Sequence, residues 1–187
     1  MFSRPALQSR LTLAACALAA ELLHLGWEYT HGGVPSHHLL NRADLPAISN
    51  WWGLLVLPML VWFLVGRIQR RGATLVQAGS RERFRTLAQA RFGGALLWGA
   101  ALALAFTLGH PAVGYIFFGA FLAGLFLYVY RAEYVLGFTL GLTFTFGAVL
   151  PVLIASVIAG CSFLLHLLVG AALRLGRGQR ARGAGLP

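Results

Sequence analysis

The chain has 187 residues, of which 58% are hydrophobic and only 11% charged, and its formal charge of +10 comes from arginine with no lysine. A soluble domain is usually about a quarter charged and under half apolar, so this composition excludes an ordinary water-soluble fold and points to an integral membrane protein. The arginines fall between apolar runs rather than in an aromatic-interleaved patch, which excludes nucleic acid as the partner; the expected partner is the lipid bilayer.

Six apolar segments follow one another, at roughly 11–29, 50–66, 92–109, 112–130, 134–150 and 152–174. Each is near the length a helix needs to cross about 30 Å of hydrocarbon. Helices are expected because lipid offers no partner to an open backbone. The first segment reads as a retained helix. Only five residues separate Arg10 from Cys16, fewer than the apolar core of about 7–15 that a cleaved signal carries. Cys16 and Cys161 both sit in apolar runs and form no CxxC, so a zinc ribbon or thiol-redox motif is unsupported.

Residues 30–49 form a histidine-rich segment with His31, His37, His38 and Asp44. Asp44, just before "LPA", reads as a helix N-cap, a ligand or a base. "ISNWW" reads as a cap at Ser49 or Asn50, followed by Trp51 and Trp52 in the aromatic belt at the membrane surface. Residues 67–91 carry seven arginines and are expected as a loop with room for a short amphipathic helix. His110 and Pro111 mark a tight turn between the third and fourth segments. "GFTLG" at 137–141 is a GxxxG pattern, which reads as close helix packing. His166 reads as a buried histidine bonded to Ser162, and Glu133 as a carboxylate complementing a helix N-terminus.

The arginine blocks orient the bundle. Arg4, Arg10, the 67–91 block, Arg131 and the closing Arg174, Arg177, Arg180 and Arg182 all belong on one side if six spans alternate, with Arg42 alone opposite. The positive-inside rule makes that side the cytoplasm. The expected fold class is therefore an all-α, polytopic six-helix transmembrane bundle, one domain over 1–187, with both termini cytoplasmic. The expected location is a bacterial inner membrane.

This topology gathers Glu21, His24, Glu28, His31, His37, His38, Asp44 and His110 at the outer side. Glu21, His24, Glu28 and His31 are spaced three, four and three apart, within an arc of roughly 80°. If the helix persists to His31 they form a ladder about 15 Å long. Such a stripe cannot face lipid at little cost, so it is expected to face the bundle interior or a wet cavity. Two successive Glu-x-x-His spacings match the ligand pattern of di-iron carboxylate bundles, and imidazole with carboxylate suits zinc or iron.

The expected cofactor is thus a divalent zinc or iron ion, held by His24, His31, His37, His38 and His110. Of the adjacent pair, which cannot both point the same way, His37 is favoured over His38. Glu21, Glu28 and Asp44 are the candidate catalytic acids or bases. The expected function is a membrane-embedded metal-dependent hydrolase acting on a lipid-linked or membrane-delivered substrate. The alternatives are a di-iron-type oxidoreductase, a metal or proton transporter using the ladder as a relay, and a haem-binding electron carrier with His24 facing His110 or His166. No HExxH, G-x-S-x-G or cysteine pair narrows the choice.

Overall fold

The computed structural model describes residues 4–38, 42, 44–76 and 80–183. They form six helices: α1 (Arg4–Thr30), α2 (Gly53–Val76), α3 (Arg81–Thr107), α4 (Val113–Phe126), α5 (Ala132–Phe146) and α6 (Val149–Gly183). A short hairpin, β1 (Ser36–His38) and β2 (Ala47–Ser49), joins α1 to α2 through a single 3-10 turn at Asn50–Trp52. The chain is an all-α membrane bundle with this one small sheet added.

Four helices, α1, α2, α3 and α6, are long and apolar enough to cross a membrane. The expected count of six is therefore met in part. With 14 and 15 residues, α4 and α5 rise only about 21–22 Å, short of the hydrocarbon thickness. Local geometry shortens both. Leu127 is already extended, and Gly147 takes φ +66°, which favours glycine. Many large apolar side chains face outward, among them Leu97, Phe118, Phe126 and Leu168, as lipid-facing surfaces require.

The expected 67–91 loop is largely helix instead: α2 runs on to Val76 and α3 begins at Arg81. Arg, Gln, Leu and Ala are good helix formers, and their propensity outweighs the charge of the segment. Phe84 of α3 packs over Gly72 of α2, which draws these two ends together. Residues 77–79, like 39–41 and 43 of the histidine-rich segment, lie outside the described residues, as do the side chains of Arg177, Arg180 and Arg182.

The most extensive helix pair is α3 with α5, and the GxxxG pattern explains it. Gly137 and Gly141 lie directly against the backbone of Phe92, Leu96 and Ala100, so no side chain fits at either position. Gly99 returns the contact, since a Cβ there would be 2.6 Å from the Phe138 carbonyl oxygen. The packed core beside this seam, Ala95, Leu102, Phe138, Leu142, Ala155 and Ile158, joins α3, α5 and α6. A second cluster, Val61, Leu64, Val65, Ala132 and Leu136, ties α2 to α5.

On the other side α1 runs antiparallel to α2. Arg10 is buried and donates from Nε and Nη2 to the Trp62 carbonyl, at 3.2 and 3.0 Å. Its guanidinium also lies 4.1 Å from the Trp62 ring centroid. At the same end Arg71 of α2 pairs with Glu133 of α5, whose side chain is only 1% exposed. Glu133 is thus more than a dipole complement, because it ties two helices together. The bundle has an arginine-rich end and a histidine-rich end.

Candidate functional site

Helix α1 sets the histidine-rich site. Its inward stripe, Arg10, Glu21, Leu25 and Glu28, repeats at helical spacing, with His24 beside it. Glu21 is 1% exposed and its carboxylate lies against Gly53, the first residue of α2. A side chain at position 53 would meet that carboxylate, so the acid is accommodated by the missing Cβ. Glu28, 8% exposed, accepts a 2.7 Å hydrogen bond from the Asn50 amide nitrogen. His24 Nε2 sits 3.4 Å from the same carboxylate oxygen, and its ring stacks on Phe144 of α5 at 4.9 Å. Asn50, itself buried, also packs its amide oxygen against Gly147. One acid thereby connects α1, the start of α2 and the end of α5.

The expected four-residue ladder stops at three. Helix α1 ends at Thr30, and Gly32 and Gly33, immediately after His31, take φ +123° and +98°, so the helix does not carry the stripe through His31. His31 is exposed, stacks on Trp27 at 4.6 Å and makes a 2.8 Å contact to the Trp27 carbonyl. A carbonyl only accepts, so Nδ1 of His31 carries the hydrogen.

The hairpin then returns the chain over this end. His37 pairs with Ile48 and His38 with Ala47. Strand alternation sends the two imidazoles to opposite faces. His37 is half-buried and close enough to Glu28 to feel its charge. Burial, the larger effect, holds the His37 pKa below its usual value, while Glu28 works the other way. His38 is exposed, and its Nδ1 donates to the Leu45 carbonyl at 2.8 Å. Three buried atoms of this cluster, Glu21 Oε1, Glu28 Oε2 and His37 Nε2, have no hydrogen-bond partner among the described residues.

Other candidates lie apart from this cluster. Asp44 is exposed and held by Arg42 in a bidentate pair, with bonds of 3.0 and 2.7 Å. That hydrogen bonding keeps its carboxyl below the usual carboxylate range. The expected helix cap at Asp44 is replaced by a turn, and Ser49 caps the following 3-10 helix by accepting from the Trp51 amide at 3.4 Å. His110 is exposed in the α3–α4 turn, where its Nδ1 accepts from the Ala112 amide at 3.1 Å. His166 lies towards the other end, bonded to the Ser162 carbonyl at 2.8 Å, with its ring tilted 41° against Tyr128 at 4.3 Å. Among the described residues no three His, Cys, Asp or Glu side chains converge as a metal would require.

A cavity of about 510 Å³ adjoins the cluster. Its walls are apolar, including Phe106, Phe117, Leu142, Phe146 and Leu153, and His37 and His38 are its polar lining residues. His37 is therefore common to the cavity and to the Glu28 cluster. The sequence carried no sign of this cavity, because it arises where α3, α4, α5 and α6 meet. Asn50 was legible as a cap; that it serves Glu28 instead depends on α1 and α2 lying antiparallel. The chain matches no family model, no curated protein and no solved structure.

Proposed function

We propose that the chain is a membrane-embedded hydrolase acting on a lipid-linked or membrane-delivered substrate, with His37 as general base and Glu28 as its supporting carboxylate. One observation carries this reading: His37 joins an apolar cavity of about 510 Å³ to a buried acid. A cavity of that size suits the apolar part of a small lipid or a lipid-linked group. Burial favours neutral His37, the form that can take a proton from water. Water would attack the scissile carbonyl or phosphoryl centre as its proton passes to His37. The imidazolium, stabilised by Glu28, would then return that proton to the leaving oxygen. Asn50 and His24 hold the Glu28 carboxylate in place.

Under the positive-inside rule the arginine-rich end lies in the cytoplasm, so the site opens to the outer face of a bacterial inner membrane. A zinc or iron ion is the second reading of the same site. Glu28 Oε2 and His37 Nε2 are buried, unpartnered donors of the right kind for it. Acid–base chemistry comes first because no three such side chains converge among the described residues.

The test is reconstitution into vesicles containing a fluorogenic long-chain ester. Turnover should fall about 100-fold or more in His37→Gln and in Glu28→Gln. A wild-type rate no higher than that of empty vesicles, or an unchanged rate in both variants, refutes the hydrolase. Stoichiometric zinc or iron that is lost in His37→Ala would put the metal reading first.

A further inference from the structure

We propose a second site at the arginine-rich end, independent of the histidine cluster, that binds the headgroup and part of one acyl chain of an anionic phospholipid. Two cavities meet there. One, of about 400 Å³, is lined by Arg71, Arg83, Arg91 and Arg131 together with the hydroxyl residues Thr74 and Ser80. The other, of about 530 Å³, is lined by apolar groups such as Gly94, Trp98, Ala123, Val129 and Ile158. Leu87 and Arg91 belong to both, so the two form one cleft with a basic mouth and an apolar bore.

Helix α3 builds the gradient. Arg83, Leu87, Arg91, Gly94 and Trp98 recur every three or four residues on one stripe, and the stripe turns from basic to apolar with depth. Glu133 is already paired with Arg71, and Glu82, in the first turn of α3, is exposed and lines neither cavity. Arg83, Arg91 and Arg131 therefore leave the mouth with a surplus of positive charge. A headgroup phosphate matches that surplus, as in basic pockets between membrane helices. An acyl chain matches the bore, which a free anion would leave empty. The anion is therefore assigned to a phospholipid of the adjoining leaflet.

Native mass spectrometry of the detergent-purified protein tests this, with phosphatidylglycerol and phosphatidylcholine of identical chains as probes and inorganic phosphate as competitor. Phosphatidylglycerol should be retained about tenfold or more over phosphatidylcholine. Arg83→Gln and Arg91→Gln should each weaken it by about fivefold, as expected for one surface arginine. Gly94→Leu, whose added Cβ meets nothing within 4 Å, should fill the bore and reduce binding with the helices intact by circular dichroism. Equal retention of the two lipids, or no loss in either arginine variant, overturns the site. Displacement by millimolar phosphate, with Gly94→Leu without effect, assigns the mouth to a soluble anion and overturns the lipid.

Discussion

Replacing Asn50 with alanine removes the one hydrogen bond that ties the start of α2 to Glu28, 22 residues earlier in the chain. The donor–acceptor distance is 2.7 Å, the contact is buried, and the second oxygen of Glu28 has no partner among the described residues. Hydrogen bonds between membrane helices average about 0.6 kcal/mol, but those to a charged group contribute about 1.5–3 kcal/mol. Asn50→Ala should therefore destabilise the fold by about 1.5–3 kcal/mol if the cluster works as a held carboxylate. Reversible unfolding in mixed micelles, followed by tryptophan fluorescence, measures this. A double-mutant cycle with Glu28→Ala should return a coupling of about 1 kcal/mol or more, because the two residues share one contact. A cost below about 0.5 kcal/mol, or additive effects, would mean that Asn50 does not hold Glu28, and the supporting role assigned to this acid would fall with it.

Lowering the pH acts on His37. Its folded pKa lies below the unfolded value of about 6.5, so the unfolded chain binds more protons in the interval between them. The His37 contribution is complete above about 6.5 and is lost as pH falls through the folded pKa, so His37→Gln should flatten the acid limb of a stability–pH curve. Nearby Glu21, Glu28 and His24 are unchanged in that variant, and an identical acid limb would contradict the assignment. Arg71→Gln leaves Glu133 buried without its ion pair and should cost about 3–5 kcal/mol. Adding Glu133→Gln should recover most of this loss in thermal melts, and failure to recover would point to packing instead of charge. Gly141→Leu places a side chain on the α3 backbone and should cost at least about 1–3 kcal/mol, whereas Gly93→Leu, with open space around it, should change the melting temperature little.

Much of the bundle was legible because membrane physics leaves few choices. Apolar runs located the helices, and GFTLG located the α3–α5 seam where Gly137 and Gly141 meet backbone. Helix ends were less legible. Apolar character continues past Phe126 and Phe146, yet the backbone leaves the helix there, and hydropathy does not register that. Arginine misled in the opposite direction. Between Arg67 and Arg91 charge suggested a loop, while helix propensity and the Phe84 contact on Gly72 kept most of the segment helical.

The site divides along the same line. Glu21, His24 and Glu28 were legible because a helix fixes their common face, and all three are largely buried. His31 fell off that face because two glycines end the regularity on which the angular argument relied. Beyond that turn, position depends on register rather than spacing. A slip of one residue in β1 would exchange His37 for His38. Three paired positions alone set a register weakly, but the hairpin is fixed at its base, where the Asn50 amide donates to the Pro35 carbonyl at 3.1 Å. Asn50 thus serves twice: its backbone fixes the register that places His37 opposite Ile48, and its side chain holds Glu28, whose charge reaches His37. The two catalytic assignments are therefore coupled through one residue. A change that releases Asn50 should disturb His37 as well as Glu28, which is why the cluster belongs to the α1–hairpin–α2 unit as a whole and not to α1 alone.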